Sequence, residues 1–74
     1  MKTYHVTALW DAEASVWVSE SDIPGLVIEA DTLAEFEALM AEHAPEMLAA
    51  NEGLHNARVP VEFTVKATRE LAVA

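Results

Sequence analysis

Hydrophobic and polar residues alternate at the start of the chain with the two-residue period of a β-strand that is buried on one face. In residues 3–10 the alternating set is Tyr4, Val6, Ala8 and Trp10. Residues 11–14 lack β-branched side chains and begin with aspartate, which favours a turn. The pattern therefore predicts a hairpin with a second strand over residues 15–20.

The second strand has large apolar side chains on both faces, so the pairing register decides which of them point to the core. One register puts Val16 and Val18 on the face of Val6, and a shift by one residue puts Trp17 there instead. The sequence leaves both registers open. In either case we expect one of the two tryptophans to point away from the face that a single helix can cover.

A turn, a short strand and a helix follow the hairpin. Pro24 and Gly25 fit the central positions of a type II turn, and the apolar run after them predicts a third strand over residues 26–30. Thr32 and Glu35 have the spacing of a capping box at a helix start. One apolar stripe then recurs at helical spacing: Leu33, Phe36, Leu39, Met40, Ala44, Met47 and Leu48.

Pro45 lies inside this helical run and cannot donate a backbone hydrogen bond. We therefore expect a kink or a break near residues 43–44 and a helix end around residues 51–53, where Asn and Gly tolerate left-handed conformations. A fourth strand is predicted over residues 59–68, with Val61, Phe63, Val65 and Ala67 on one face. Pro60 suits the first residues of this strand and favours an edge position or an irregular start.

These elements predict an α+β fold of order βββαβ: an antiparallel three-stranded meander plus a fourth strand, with one helix packed on one sheet face. The length of 74 residues fits a single domain with a thin core. Because the second sheet face stays uncovered, we expect a protein interface there and a homodimer or a higher homo-oligomer.

The net charge of −9 narrows the choice of partners. Lys2 is followed by no lysine or arginine until Arg58, and eleven acidic residues lie between them. Such a surface repels phosphate backbones, which argues against direct nucleic-acid binding, and it favours a basic protein partner. Cysteine is absent, and neither a signal peptide nor a membrane span is apparent. We therefore expect a cytoplasmic protein.

The sequence offers little support for catalysis. Asp22, Glu29 and Asp31 are candidates for a metal site of a hydrolase, but an acid before a helix start is favoured in any case by the helix dipole. The three histidines have no zinc-site spacing, and no activated nucleophile is apparent. We expect neither an enzyme nor a bound metal or cofactor.

Several short segments together resemble the HicB-like antitoxin domain, in its small stand-alone branch once classed as a domain of unknown function. They cover residues 10–14, 16–18, 22–26, 29–33 and 45–51, which read WDAEA, VWV, DIPGL, EADTL and PEMLAAN. The turn Ser21 to Leu26 departs from the more usual Pro-Asp-Leu-Pro-Gly-Cys of the family.

The resemblance implies a fold like part of ribonuclease H and a function as an antitoxin. Family members bind and occlude a small basic HicA-type toxin, an mRNA-cleaving enzyme of double-stranded-RNA-binding fold. Fuller members also carry a C-terminal DNA-binding domain, for which a chain that ends at Ala74 leaves no room, so operator binding is not expected.

We expect the toxin to contact the acids and an exposed tryptophan at the hairpin end, where charge coincides with an aromatic anchor. These candidates are Asp11, Glu13, Trp17, Glu20 and Asp22. The alternatives are an orphan oligomeric structural or regulatory protein of the same fold and, with less support, a metal-dependent hydrolase.

Overall fold

The computed structural model describes residues 2–74 and shows four strands and one helix in the order βββαβ. The elements are β1 (Tyr4–Asp11), β2 (Val16–Ser21), β3 (Glu29–Ala30), α1 (Leu33–Glu52) and β4 (Val61–Lys66). They form one mixed sheet of strand order β3-β2-β1-β4, in which β1 pairs antiparallel with β2 and parallel with β4. The predicted α+β fold is confirmed.

The hairpin register puts both tryptophans on the same face, so the expectation that one of them points away from the core is wrong. Trp10 pairs directly with Trp17, and their ring centroids lie 5.1 Å apart. The turn comprises residues 12–15, and Ser15 adopts a positive φ of 56°. Val16 and Val18 consequently face the opposite side of the sheet from Val6.

The third strand is shorter than predicted because the Ser19 side chain takes the place of a backbone acceptor in the pairing with β2. The amide of Ile28 donates to the hydroxyl of Ser19 at 2.8 Å, while the carbonyl of Ile28 accepts from the Ser19 amide at 3.0 Å. Only Glu29 and Ala30 continue as a strand. Residues 26–28 nevertheless line the core, with Leu26 and Ile28 buried and Val27 exposed.

The turn before this segment is the predicted type II turn. The Leu26 amide donates to the Ile23 carbonyl at 3.2 Å, and Gly25 has the positive φ of 82° that this turn requires. A Cβ atom on Gly25 would lie 3.0 Å from Asn51 Nδ2 and 3.1 Å from Met47 Sδ. The turn therefore packs closely against the end of α1, and Asn51 donates to the carbonyl of Pro24 at 2.9 Å.

The helix runs without a break from residue 33 to residue 52 and includes Pro45, so of the predicted kink or break the break is wrong. Pro45 leaves the carbonyl of Ala41 without its helical partner, and both residues are exposed, which lets water solvate that carbonyl. Both ends of the helix lie where the sequence predicts them. Thr32 accepts from the Glu35 amide at 3.1 Å, and Gly53 closes the helix with a left-handed φ of 65°.

The core lies between the helix and the face of the sheet that carries Val6. Eleven hydrophobic residues are buried there: Tyr4, Val6, Ala8, Trp17, Ile23, Leu26, Ile28, Ala30, Phe36, Ala44 and Leu48. Phe36 stacks on Phe63 of β4 with ring centroids 5.8 Å apart. Tyr4 donates to Glu52 Oε1 at 3.0 Å and so joins the start of β1 to the end of α1.

The fourth strand lies at the edge of the sheet, which is one of the two alternatives that Pro60 favours. It is shorter than the predicted range of 59–68, and residues 67–74 form neither helix nor strand. Arg69 lies over the ring of Trp10 at 6.0 Å, so this segment continues along the direction of β4. Leu71 and Val73 are 81% and 93% exposed.

Candidate protein-interaction face

The side of the sheet opposite the helix presents a continuous surface formed by alternate residues of all four strands. We call it the open sheet face. Its residues follow from the strand registers: His5, Thr7, Leu9, Asp11, Val16, Val18, Glu20, Glu29, Glu62, Thr64 and Lys66.

The middle of the open sheet face is apolar. Leu9 and Val18 are direct cross-strand partners, and Val16 pairs with Asp11 beside them. All three apolar residues are half-buried, because neighbouring side chains shield part of each one although no helix covers them. They form a small apolar patch of the kind that lies at the centre of protein interfaces.

Negative charge borders this patch on most sides, and Lys66 lies beside Leu9. Four acidic residues lie on the open sheet face, Asp11, Glu20, Glu29 and Glu62, and among the residues that define the face Lys66 is the one lysine or arginine. Glu20 lies opposite Thr7, and Glu29 lies opposite Val18. Each glutamate is exposed, so the face combines an apolar centre with a rim of solvated carboxylates.

The structure separates the five residues that the sequence suggests as toxin contacts. Asp11 and Glu13 lie at the turn of the hairpin, and Asp22 lies at its other end, where it bonds to His5. About six residues of strand, roughly 20 Å, separate the two ends. The acids therefore do not form one cluster at the hairpin end.

Trp17 is not the exposed anchor that the sequence suggests. Its side chain is only 7% exposed, and it packs against Trp10 on the helix side of the sheet. An aromatic anchor must be accessible to a partner before binding. Trp17 therefore belongs to the core, and the apolar centre of the open sheet face is formed by aliphatic residues instead.

Asp11 and Asp22 have structural roles. Asp11 Oδ1 accepts from the amides of Glu13 and Ala14 at 3.1 and 3.2 Å, which holds the hairpin turn. Asp22 accepts from the backbone amide of His5 at 2.7 Å and contacts its imidazole at 3.0 Å. Glu13 and Glu20 are exposed, and of these two only Glu20 lies on the open sheet face.

The contact candidates predicted from the sequence do not include Glu29, Glu62 or the aliphatic patch of this face. The alternation of residues in β1 and β2 is the sequence signal for the aliphatic patch, because Leu9 and Val18 share a face once the pairing register is known. Glu62 joins them only through the parallel pairing of β4 with β1, in which it lies beside His5.

The contact between His5 and Asp22 shifts the pKa of both groups. The hydrogen bond to Asp22 raises the pKa of His5 above its usual value. The hydrogen bonds from the His5 side chain and backbone lower the pKa of Asp22. Each shift favours the charged form of the residue.

We expect this contact to stabilise the fold most between about pH 3.8, the usual pKa of the aspartate, and about pH 6.5, the usual pKa of the histidine. The histidine contribution is present below its usual pKa and is lost as the pH rises through the raised pKa. The aspartate contribution is lost as the pH falls through the lowered pKa. Urea unfolding of the wild type and of Asp22→Asn at a series of pH values measures the difference.

In the same comparison, NMR titration of the His5 imidazole should give a lower pKa in Asp22→Asn than in the wild type. Glu46→Gln is the matched control, because Glu46 lies near a different histidine, with Oε2 at 3.6 Å from His43 Nδ1. A stability difference that is largest at alkaline pH would contradict the assignment.

Within residues 2–74, no group of three or more histidine, cysteine, aspartate or glutamate residues is arranged to hold a metal ion. The acids that the sequence suggests as metal ligands have different positions and contacts. Asp22 bonds to His5, and Glu29 lies on the open sheet face. Asp31 lies directly before the helix cap. In the same part of the chain there is no helix with the length and apolar character needed to cross a membrane.

Comparisons with known proteins agree with this fold. The chain is similar to the crystallised hypothetical protein TTHA1013 from the extremely thermophilic bacterium Thermus thermophilus, with 48% sequence identity over 97% of this chain and 100% of that chain and a TM-score of 0.70. No curated protein matches the chain. A family described as "Domain of unknown function (DUF1902)" matches residues 3–74. Because this match spans nearly the whole sequence, the chain belongs to the DUF1902 family.

Proposed function

We propose that this protein is a HicB-like antitoxin that binds a small basic HicA-type mRNA-cleaving toxin in the cytoplasm and occludes its active site. The observation that carries the proposal is the open sheet face, where carboxylates border an aliphatic patch on most sides. The segments that resemble HicB-like domains support it from the sequence. No cofactor and no chemistry on the part of the antitoxin are required.

The open sheet face fits a basic partner in two ways. Lysine and arginine side chains have apolar stems that pack on aliphatic residues such as Leu9 and Val18, while their charged ends remain free to reach carboxylates. Glu20 and Glu29 lie beside the patch at a suitable position for such contacts. Opposite charge on the two surfaces also accelerates their association.

An acidic surface of this kind also competes with the natural substrate of the toxin. An enzyme that cleaves RNA must present positive charge to the phosphate backbone. Carboxylates on the antitoxin occupy that positive surface without offering a phosphodiester to cleave. Binding therefore excludes RNA by charge and by steric overlap.

The outer side of α1 is a second acidic surface and provides a control. Glu35, Glu42 and Glu46 are exposed there and share one side of the helix, without an aliphatic patch comparable with that of Leu9 and Val18. Because long-range steering depends on charge whereas a tight interface needs a desolvated centre, we assign the contact surface to the open sheet face. Its contacts are Leu9, Val18, Glu20 and Glu29.

The test is inhibition of RNA cleavage by a small basic protein that the chain retains from a lysate of its native host at moderate salt. Titrating the chain into the RNase reaction should abolish cleavage at a defined stoichiometry. The double variant Glu20→Gln/Glu29→Gln should lower the association rate constant at low salt by about threefold to tenfold and should weaken its salt dependence. The control Glu42→Gln/Glu46→Gln has the same change of charge on the outer side of α1 and should have a much smaller effect.

Equal effects of the two double variants would show that total charge, and not the open sheet face, governs the association. If the retained protein cleaves RNA equally well with and without the chain, the antitoxin proposal is wrong. Recovery of the chain alone as a stable oligomer would instead favour a structural or regulatory protein without a toxin.

A further inference from the structure

The outer edge of β4 has unpaired backbone groups. In residues 2–74 the sheet ends at this strand. Tyr4 lies opposite Val61 and donates its amide to the carbonyl of Pro60 at 3.0 Å. In a parallel ladder this pattern directs the polar groups of Glu62 and Thr64 toward β1 and those of Phe63 and Val65 outward. An edge of this kind is a template for another strand.

We propose that a second copy of this chain pairs with β4 in antiparallel orientation about a two-fold axis next to Thr64, which gives one continuous eight-stranded sheet. In this register Phe63 lies opposite Val65 of the second copy. The backbone groups of both residues point outward, so they can bond to each other. Thr64 lies opposite Thr64 of the second copy. This inference is independent of the proposed antitoxin function.

Charge selects this register. With the axis next to Thr64, Glu62 lies directly opposite Lys66 of the second copy, and the symmetry makes this pair twice. Opposite charges and paired threonines are favourable cross-strand partners. On the helix side, Val65, which is 45% exposed, gains the aromatic ring of Phe63 as a neighbour.

The segment that would form the interface is the part of the chain in which charge is balanced. Residues 61–74 contain Glu62, Lys66, Arg69 and Glu70 and have a net charge of zero, so residues 1–60 carry the whole charge of −9. Two strongly acidic molecules repel each other over most of their surfaces. Pairing at β4 brings together the neutral segments and keeps the acidic surfaces apart.

The same geometry explains two apolar features that the single chain leaves uncovered. An open apolar groove of about 460 Å³ lies between the second half of α1 and the connection to β4, lined mainly by Met40, Ala44, Leu48, Leu54, Val59 and Val61. The exposed Leu71 and Val73 lie beyond the far end of β4, and Arg69 at Trp10 directs the segment away from its own groove.

In the antiparallel pair, the end of each β4 lies beside the start of the other. Residues 67–74 of one copy then pass Val61 of the second copy, where the groove opens. Side chains alternate between the two sides of an extended segment, so Leu71 and Val73 point to the same side as Phe63 and Val65, which is the helix side. Each groove is thus filled by the C-terminal segment of the other copy.

The exposed area agrees with this arrangement. A compact monomer of 8.1 kDa should expose about 4,500 Å², whereas the chain exposes 5290 Å². The single chain is therefore less compact than a typical monomer of its mass, as expected if part of its surface is covered by a second copy. The shape is elongated as well, with extents of 53 × 21 × 17 Å.

The test is sedimentation velocity on the chain and on charge-exchange variants over a range of concentrations. The wild type should sediment with twice the chain mass of 8.1 kDa. Glu62→Lys alone and Lys66→Glu alone each place like charges opposite each other twice and should raise the dimer dissociation constant by roughly tenfold to 100-fold. The double variant Glu62→Lys/Lys66→Glu restores both pairs and should dimerise like the wild type.

Mixing the two single variants gives a sharper result. In the mixed dimer one copy carries lysine at both positions and the other copy carries glutamate at both, so each cross-strand pair joins opposite charges. The mixture should therefore form heterodimers at concentrations at which either variant alone is monomeric. Leu71→Ser/Val73→Ser should also weaken the dimer, by about 100-fold or more, because both side chains become buried only in the second copy.

A wild type that remains monomeric would overturn the proposal. A dimer that is insensitive to the charge exchange would overturn the pairing at β4, and a dimer that is insensitive to Leu71→Ser/Val73→Ser would overturn the exchange of C-terminal segments. Circular dichroism of each variant verifies that the exposed substitutions leave the fold of the chain intact.

Discussion

Replacing Phe36 by alanine is expected to lower the free energy of unfolding by about 3–5 kcal/mol. Phe36 is fully buried, at 0% exposed, and its ring stacks on Phe63 at 5.8 Å. It joins the first part of α1 to the edge strand. A 74-residue domain has a total stability of roughly 4–11 kcal/mol, so the variant should be largely unfolded under conditions in which the wild type is folded.

Guanidinium unfolding followed by circular dichroism, with all proteins at one concentration, measures this loss. Val27→Ala is the control, because Val27 is 85% exposed and its truncation should change stability by no more than about 0.5 kcal/mol. A Phe36→Ala midpoint close to that of the control would mean that α1 does not pack on the sheet as described.

Replacing Trp17 by alanine should cost about 3–5 kcal/mol as well. Trp17 is buried and lies against Trp10 with ring centroids 5.1 Å apart, so the variant loses both buried area and an aromatic contact. Trp10→Ala removes the other member of the pair from a half-buried position and should cost less. Thermal and guanidinium unfolding of both variants give the comparison.

This prediction also distinguishes the core from a binding surface. If Trp17 is a core residue, Trp17→Ala lowers stability, and the fraction that remains folded binds a partner as the wild type does. If Trp17→Ala abolished partner binding without changing the unfolding curve, the residue would be a binding anchor and its assignment to the core would be wrong.

The local elements of this fold follow closely from short segments of sequence. Thr32 and Gly53 act as the predicted helix caps, and Pro24 and Gly25 form the predicted turn. Each of these features depends on one residue's backbone preference or on a hydrogen bond to a near neighbour. Such preferences act within a few residues and therefore appear in the sequence itself.

Pro45 shows where a local rule fails. Its ring removes a backbone hydrogen bond, which usually interrupts a helix, yet α1 continues through it. The apolar stripe on both sides of Pro45 contributes Phe36, Ala44 and Leu48 to one core. Burial of that stripe outweighs the loss of a single exposed hydrogen bond.

The candidate interaction face was only partly predictable. The acidity of the surface follows from composition, and the existence of an uncovered sheet face follows from a single helix. The identity of the contact residues does not, because a shift of one residue in the hairpin exchanges Trp17 with Val18 between the two faces. The structure selects the register that buries Trp17, since the aromatic side chain has the larger apolar area to remove from water.

The sequence by itself determined the order of the elements, the caps and turns between them and the strong negative charge. Tertiary structure decided the register of β1 and β2, the parallel pairing of β4 with β1, and the position of the free edge next to an apolar groove. These features depend on contacts between residues far apart in the chain, such as Tyr4 with Val61 and Phe36 with Phe63. Their energies are determined by how the whole core packs, which no short segment specifies.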